Sequence, residues 1–212
     1  MPHIVLLGDS IFDNASYTSG GPDVISQVRE ILPQDWKATL LAVDGSVTLN
    51  VADQMQRLPH DATHLILSVG GNDALLKSEI LNAPVRSTSE ALSMFAAIAA
   101  QFEENYRLAV DACRRATLPL CLCTIYNGCF ADPSFQRTVT TALKIFNDAI
   151  LRVGFELKLP TIDLRFVCSC TADFANPIEP SSLGGAKIAR AIVNVVSGAK
   201  GDMASARVFV DT

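Results

Sequence analysis

The sequence contains no hydrophobic run long enough to cross a bilayer and no excess of positive charge. Its 212 residues carry 17 basic and 22 acidic side chains, for a formal net charge of −5. A membrane-spanning helix needs roughly 18 consecutive apolar residues, and binding to nucleic acid or to an anionic lipid surface relies on clustered Lys and Arg. The composition therefore argues against a membrane span and against nucleic acid as a partner.

Cysteine and histidine are also sparse, with six and three residues respectively. Six cysteines are too few for a disulfide scaffold in a chain of this length. The pairs Cys121/Cys123 and Cys168/Cys170 have a single intervening residue, which fits zinc ligation poorly. We therefore expect reduced thiols, no metal site and no cofactor. Met1 leads almost directly into a short apolar run without the pattern of a signal peptide, which predicts a cytoplasmic protein.

Apolar residues make up 49% of the chain and charged residues only 18%. This balance excludes a disordered protein and, at this length, predicts one domain over residues 1–212. The mean hydropathy of +0.28 fits either a large core or an apolar self-association surface, so a homo-oligomer stays open. The tail over 198–212 is expected to add an edge strand or to fray.

Short apolar runs alternate along the chain with longer segments of helical periodicity. Apolar residues recur at helical spacing over 95–113, 135–153 and 188–196, and weaker helices are predicted over 23–32 and 49–58. Such alternation is typical of a parallel sheet covered by helices. The predicted fold class is α/β, a three-layer α/β/α arrangement of flavodoxin-like type with about five parallel strands. The predicted strands cover residues 4–8, 38–43, 64–69, 118–124 and 160–164.

Glycine and polar residues follow the first three predicted strands. The strands end in Gly8-Asp9-Ser10, Asp44-Gly45-Ser46 and Gly70-Gly71-Asn72-Asp73. Ligands of open α/β sheets bind in the crevice at the carboxyl ends of the strands, so these segments should converge. A serine hydroxyl, two backbone N–H groups and the Asn72 amide can supply a nucleophile and an oxyanion hole. The pattern favours acyl transfer.

These segments resemble the signature blocks of the SGNH/GDSL hydrolases, a family of esterases and lipases. The run Ile4-Val5-Leu6-Leu7-Gly8-Asp9-Ser10 is similar to the first block, Gly45 to the second and Gly70-Gly71-Asn72-Asp73 to the third. The resemblance implies that Ser10 is the nucleophile and that the N–H groups of Ser10 and Gly45 and the Asn72 amide form the oxyanion hole. Asp9 and Asp73 are expected to hold the site through hydrogen bonds. The substrate implied is a small-molecule ester.

The fourth block departs from the family, whose pattern is Asp-x-x-His-Pro followed by a glycine five residues after the His. The matching stretch here is Asn176-Pro177-Ile178-Glu179-Pro180, with Gly184 at the expected spacing. Glu179 thus stands at the histidine position and Asn176 at the aspartate position. We expect Glu179 to act as the base, with Asn176 donating a hydrogen bond to its carboxylate. The alternative is that Glu179 caps the last helix or pairs with Arg165.

No other histidine can replace the missing one. His3, His60 and His64 lie at or before the amino-terminal ends of strands one and three, at the edge opposite the crevice. A strand of five residues is roughly 17 Å long, which is far beyond the reach of a hydrogen bond. The sequence therefore predicts a site without the usual histidine base.

Four further residues fall on the crevice side or in a loop that could cover it, and are expected to shape substrate binding, although packing or turn roles fit equally well. They are Phe12, Tyr126, Asn127 and Arg165. Two functions stay open. The first is a serine esterase acting through an acyl-Ser10 intermediate, and the second is a catalytically silent protein of the same fold that binds an acylated or carbohydrate ligand. A flavodoxin-type nucleotide binder is excluded, because no glycine-rich phosphate loop follows strand one.

Overall fold

The computed structural model describes residues 1–198, and these contain one five-stranded sheet. Every neighbouring pair of strands is parallel, which confirms the predicted α/β class. The tail predicted to form an edge strand or to fray lies, from residue 199 onward, outside the described residues. The strands are β1 (His3–Gly8), β2 (Lys37–Leu40), β3 (His64–Ser68), β4 (Leu120–Cys123) and β5 (Thr161–Ile162), arranged β2-β1-β3-β4-β5.

Seven α-helices cover the sheet in the described part of the chain. The three strongest amphipathic patterns correspond to the three longest helices, whereas the pattern over 49–58 is α-helical over five residues only, after the 3-10 turn Thr48–Asn50. The helices are α1 (Val24–Ile31), α2 (Val51–Met55), α3 (Gly71–Leu75), α4 (Thr88–Arg114), α5 (Pro133–Glu156), α6 (Leu164–Val167) and α7 (Ser182–Ser197).

The core lies on both faces of the sheet, because successive side chains of β1 pack into two different hydrophobic clusters. Ile4 and Leu6 pack into a cluster with residues of α1, α6 and α7. Val5 and Leu7 pack into a second cluster with residues of α2, α4 and α5. Successive side chains of a strand point to opposite faces, so a strand buried on both sides must be apolar throughout. The result is the predicted three-layer arrangement.

The order of the strands creates a crevice between the carboxyl ends of β1 and β3. From β1 the chain first adds β2 on one side and then β3 on the other, and ligands bind at such a switch point. Gly8, at the end of β1, has a φ of 126°, and a Cβ there would lie 1.7 Å from the Ser68 carbonyl oxygen. Only glycine allows the two strand ends to come this close. The close contact lets the Asp9 N–H donate to the Ser68 carbonyl at 3.1 Å.

The helices that the structure describes include none long and apolar enough to cross a membrane. The cytoplasmic location and the oligomeric state stay predictions. All six cysteines are free thiols, and burial raises the pKa of Cys121 to about 12. Cys168 is also buried, whereas Cys170 is exposed, and both lie outside the strands. Within residues 1–198, no three His, Cys, Asp or Glu side chains are grouped so as to hold a metal ion.

Candidate active site

Ser10 and Glu179 are separated by 169 residues in the sequence and meet at the carboxyl end of β1. The Ser10 hydroxyl donates to Glu179 Oε1 at 3.1 Å. Both side chains are buried, with exposed fractions of 7% and 6%. The distance is long for a hydroxyl donor, as contacts between a nucleophile and its base often are without substrate. The pair has the arrangement of a nucleophile and a base.

The environment of Glu179 makes its carboxylate more basic than an exposed one. Burial raises the pKa of Glu179 to about 7, although the hydrogen bond from Ser10 lowers it, and the nearby Asp44 charge adds to the increase. Its second oxygen, Oε2, is buried and has no hydrogen-bond partner among the described residues. A carboxyl that titrates near neutral pH is suited to general base catalysis.

The turn over 176–180 fixes the position of Glu179. Asn176 Oδ1 accepts hydrogen bonds from the N–H groups of Ile178 and Glu179, both at 2.9 Å. Asn176 therefore shapes the backbone of the turn, which corrects the expectation that it donates to the carboxylate. The Cys129 N–H also donates to the Pro177 carbonyl at 2.8 Å. The turn is thus fastened to the loop after β4.

The alternative roles considered for Glu179 do not occur in the structure. Ser181 caps α7, with its hydroxyl oxygen accepting from the Gly184 N–H at 3.2 Å. Arg165 donates through Nε to Asp163 Oδ1 at 2.8 Å and forms an ion pair with the same carboxylate. Neither the helix cap nor the arginine uses Glu179, which leaves its carboxylate directed at Ser10.

The third signature segment is fastened to the loop after β2. Asn72 Nδ2 donates to the Ser46 carbonyl at 2.9 Å, which leaves its second amide hydrogen for another acceptor. Asp73 accepts from the hydroxyl of Thr48 at 2.6 Å and from its N–H at 3.0 Å. These contacts hold the segments that follow β2 and β3 against each other.

The candidate oxyanion donors are only partly brought together. Ser10 and Asn72 line the same cavity, and the Ser10 N–H has no protein acceptor among residues 1–198. Gly45, with a φ of 78°, lines a shallow neighbouring cleft instead. It is adjacent in sequence to Ser46, whose carbonyl receives the Asn72 amide. Gly45 therefore does not line the cavity that contains Ser10 and Asn72.

Asp9 is a second buried carboxyl next to the pair. Its exposed fraction is 2%, and Oδ1 accepts from the Ile11 N–H at 3.2 Å. The pKa of Asp9 is raised to about 8, mainly by burial; the hydrogen bond from Ile11 lowers it, and the charges of Glu179 and Asp73 add to the increase. Neighbouring carboxyls disfavour each other's ionisation, so Asp9 is mainly neutral at pH 7.

Ser10, Asn72 and Glu179 open into one cavity of about 1040 Å³, including its open mouth. Most of its lining is apolar and comes from α3, α4, α5 and the loop after β4. Tyr126 and Asn127 line it, as expected, and the Tyr126 hydroxyl donates to the Ile178 carbonyl. A mainly apolar pocket with a few convergent polar groups is typical of small-molecule sites.

Two residues predicted to shape substrate binding are placed elsewhere. Phe12 is completely buried in the core between the sheet and helices α1 and α7. Arg165 does not line the cavity, because its guanidinium is held by Asp163. Arg165 was predicted to contact substrate because it directly follows a strand. That position does not determine whether a side chain points toward the crevice or away from it.

Two buried polar residues that position the site were not predicted. Gln54 accepts from the Gly8 N–H at 2.8 Å and donates to the Gly8 carbonyl at 2.7 Å, which fixes the end of β1. Asn14 accepts from the Val24 N–H at 2.9 Å and donates to the Pro180 carbonyl at 3.2 Å. Asn14 thereby connects the loop after Ser10 to the turn that carries Glu179. Gln54 could have been found from the sequence, because it is a polar residue on the apolar side of a helix. Asn14 could not, because nothing in the sequence distinguishes it from other polar loop residues.

The protein is of the α/β class, with a crevice centred on a serine. The serine follows the first strand of a parallel sheet, and a carboxylate contacts it. A family model described as the GDSL-like lipase/acylhydrolase family matches residues 6–184. The chain belongs to the GDSL-like lipase/acylhydrolase family. Membership supports a hydrolase of the esterase and lipase type. Among curated proteins, no match is found.

Solved structures with the same fold include several lipolytic proteins. A lipolytic G-D-S-L family member from Veillonella parvula has a TM-score of 0.67 at 15% identity, covering 93% of this chain and 99% of its own. A lipase/acylhydrolase from Enterococcus faecalis has a TM-score of 0.62 at 22% identity, covering 93% and 96%. The extracellular lipase of Streptomyces rimosus has a TM-score of 0.64 at 16% identity, covering 94% and 100%. At these identities the similarity shows the shared fold.

Proposed function

We propose that this protein is a serine esterase that hydrolyses a small ester or acyl group through a covalent acyl-Ser10 intermediate. The observation that carries the proposal is the 3.1 Å hydrogen bond from the Ser10 hydroxyl to Glu179 Oε1 inside the crevice. Membership of the GDSL-like lipase/acylhydrolase family supports the hydrolase class. Glu179 takes the place of the histidine base in this mechanism.

In the first half of the reaction, Ser10 Oγ attacks the ester carbonyl carbon and its proton passes to Glu179 Oε1. The carbonyl oxygen becomes an oxyanion, which accepts hydrogen bonds from the Ser10 N–H and the free amide hydrogen of Asn72. The tetrahedral intermediate then collapses, and Glu179 gives the proton to the departing alkoxide. The products are a free alcohol and acyl-Ser10.

In the second half, a water molecule attacks the acyl carbon while Glu179 takes one of its protons. Collapse of the second intermediate breaks the bond to Ser10 Oγ, which recovers its proton from Glu179. The carboxylic acid leaves and the enzyme returns to its initial state. One ester and one water are consumed, and one alcohol and one acid are released.

The basicity of Glu179 supports its part in both halves. The reference pKa of an exposed Glu is about 4.3 and that of His is about 6.5. Because burial raises the pKa of Glu179 to about 7, its carboxylate is as strong a base as an ordinary histidine.

Reaction with a fluorophosphonate probe, followed by intact-mass measurement, tests the proposed nucleophile. We expect one added label on the wild type and none on Ser10→Ala. Ser182→Ala is the matched control, because Ser182 is another serine with a buried hydroxyl that has no partner in the described chain. It should label like the wild type. A folded wild-type protein that never labels would favour the catalytically silent, ligand-binding alternative.

A further inference from the structure

The cavity beside Ser10 extends along one face of α5. Phe135, Val139, Leu143 and Phe146 line it, at spacings of three or four residues that place them on one side of the helix. From residue 135 to residue 146 a helix advances about 16 Å. Phe146 packs edge-on against Phe102, with 4.9 Å between ring centroids. Both rings are buried, so the part of the lining formed by Phe146 is backed by the core.

Polarity is distributed unevenly within the cavity. The two buried carboxyls, Asp9 and Glu179, lie at its Ser10 end, and Lys77 at an exposed position is the one cationic residue among the described lining. The residues that α4 and α5 contribute to the lining are all apolar, namely Phe95, Ile98, Phe135, Val139, Ala142, Leu143 and Phe146. Such walls offer nothing to the hydroxyl groups of a sugar or to an anionic headgroup, because polar groups buried there would be left without hydrogen bonds.

Apolar side chains also reach the exposed rim of the cavity, beside Lys77 and Ser78. Leu75 and Phe135 both line the cavity, and yet their side chains are 41% and 43% exposed. Apolar residues therefore line the cavity from its buried part to its exposed rim, and the reacting groups lie at its Ser10 end. This distribution fits a linear hydrocarbon chain that carries a single reactive carbonyl.

We propose that the cavity binds the acyl chain of a medium-chain fatty ester, with the carbonyl carbon at Ser10. The inference rests on the proposed esterase function. An extended chain advances about 3.5 Å for every three bonds, so about 16 Å accommodates at most roughly a dozen carbons. The alcohol portion lies toward the shallow cleft beyond Gly45, which is lined by polar residues including Asp44, Asn50 and Arg57.

Two series of esters test which half of the substrate the cavity holds. In the first, the leaving group is p-nitrophenol and the acyl group grows from acetate to dodecanoate. A fully buried methylene favours binding about threefold to fourfold, so we expect kcat/KM to increase at least about tenfold from acetate to octanoate. In the second series, alkyl acetates of increasing alcohol length, kcat/KM should change less than about threefold. The opposite dependence would overturn the assignment.

A variant that narrows the cavity provides the matched comparison. Ala142→Phe adds a ring to the lining of α5, and we expect the ratio of octanoate to acetate kcat/KM to fall at least about tenfold, as several methylenes lose their site. Thr141→Phe adds the same ring at the adjacent exposed position, where it should leave the ratio within about twofold of wild type. An unchanged ratio in Ala142→Phe would contradict the proposal.

Binding of octanol, a neutral chain, to Ser10→Ala separates this inference from the esterase proposal. Calorimetry should show saturable binding that Ala142→Phe weakens at least about tenfold. Ester turnover without octanol binding and with a preference for acetate would overturn the acyl-chain assignment and leave the esterase intact. Octanol binding in a protein that hydrolyses no ester would instead overturn the esterase proposal and, with it, the acyl assignment.

Discussion

At Glu179, burial and the hydrogen bond from Ser10 act on one carboxyl in opposite directions. Burial favours the neutral form, whereas the Ser10 hydroxyl stabilises the charged form, and the balance raises the pKa to about 7. The unpartnered Oε2 shows that the carboxylate is held by few contacts of its own. Its position depends instead on the backbone of the turn, through Asn176.

This pKa predicts the pH dependence of catalysis. The base must be ionised, so kcat/KM for a p-nitrophenyl ester should rise with pH, reach half its maximum near pH 7 and then level off. Glu179→Gln cannot accept the serine proton, and we expect a loss of about 100-fold or more with no inflection near pH 7. Glu30→Gln, on the exposed surface of α1, is the control. Full activity in Glu179→Gln would eliminate the carboxylate mechanism.

Asn72 is predicted to act mainly in the transition state. One of its amide hydrogens is used by the Ser46 carbonyl and the other is available to the oxyanion. Asn72→Ala should lower kcat by about 100-fold with a much smaller change in KM, because the oxyanion exists only after attack. Asn105→Ala on α4 is the control for a general effect of removing an amide. Steady-state kinetics that show equal changes in KM and kcat would indicate a positioning role instead.

At the scale of elements, the prediction from sequence was best for long helices and weakest for short irregular segments. Helices α4, α5 and α7 were predicted from their apolar periodicity, because each buries a continuous stripe. Helix α3 has only five residues and buries none of them, so it has no such stripe. Strand β2 ends at Leu40, before the predicted boundary, since the N–H groups of Leu41 and Ala42 both donate to Leu6.

The start of α7 shows why Gly184, five residues after Glu179, must be a glycine. A Cβ on Gly184 would lie 2.1 Å from the carbonyl oxygen of Asp173, which is main chain and cannot move aside. Asp173 is itself fixed, because its buried carboxylate forms an ion pair with Lys187 at 2.6 Å. The close approach brings the first turn of α7 directly behind the turn that carries Glu179.

Gly184→Ala should therefore destabilise the protein by about 2–3 kcal/mol, through displacement of α7 or of the Asp173 segment. Gly71→Ala is the matched control, since a Cβ there would meet its nearest atom, Asp9 Oδ2, at an ordinary 3.8 Å. The control should be neutral or slightly stabilising. Chemical denaturation of both variants measures the difference, and equal stabilities would contradict this account of the glycine.

At the scale of the molecule, the site is assembled from residues at three distant points of the chain. The contact between Ser10 and Glu179 could be predicted because both stand in recognisable segments at the same edge of a parallel sheet. The supports of that contact could not be predicted in the same way. Gln54 and Asn14 act through hydrogen bonds to main-chain groups, which depend on the tertiary structure and leave no periodic or spacing signal.

The buried carboxyl of Asp9 links the site to the stability of the whole fold. Its pKa is raised from 3.8 to about 8 in the folded protein. Between these values the native state holds a proton that the unfolded chain has lost. The free energy of unfolding must then decrease as pH rises through this window, because stability increases with pH only where the unfolded state binds more protons. Asp9 therefore costs stability at alkaline pH.

Asp9→Asn should remove the part of this pH dependence that Asp9 causes, since an amide stays neutral and its Oδ1 can still accept from the Ile11 N–H. The raised pKa of Glu179 contributes a separate part of the same sign, which stays in the variant. We expect the wild-type Tm to fall between pH 5 and pH 9 and the Tm of Asp9→Asn to fall less, by roughly 4–8 °C, if about 2 kcal/mol is recovered. Asp35→Asn, at an exposed position, should follow the wild type. Calorimetric scans at both pH values measure the difference. Parallel losses in wild type and Asp9→Asn would show that Asp9 is already ionised in the folded state, and the neutral form assigned to it beside Glu179 would then be wrong.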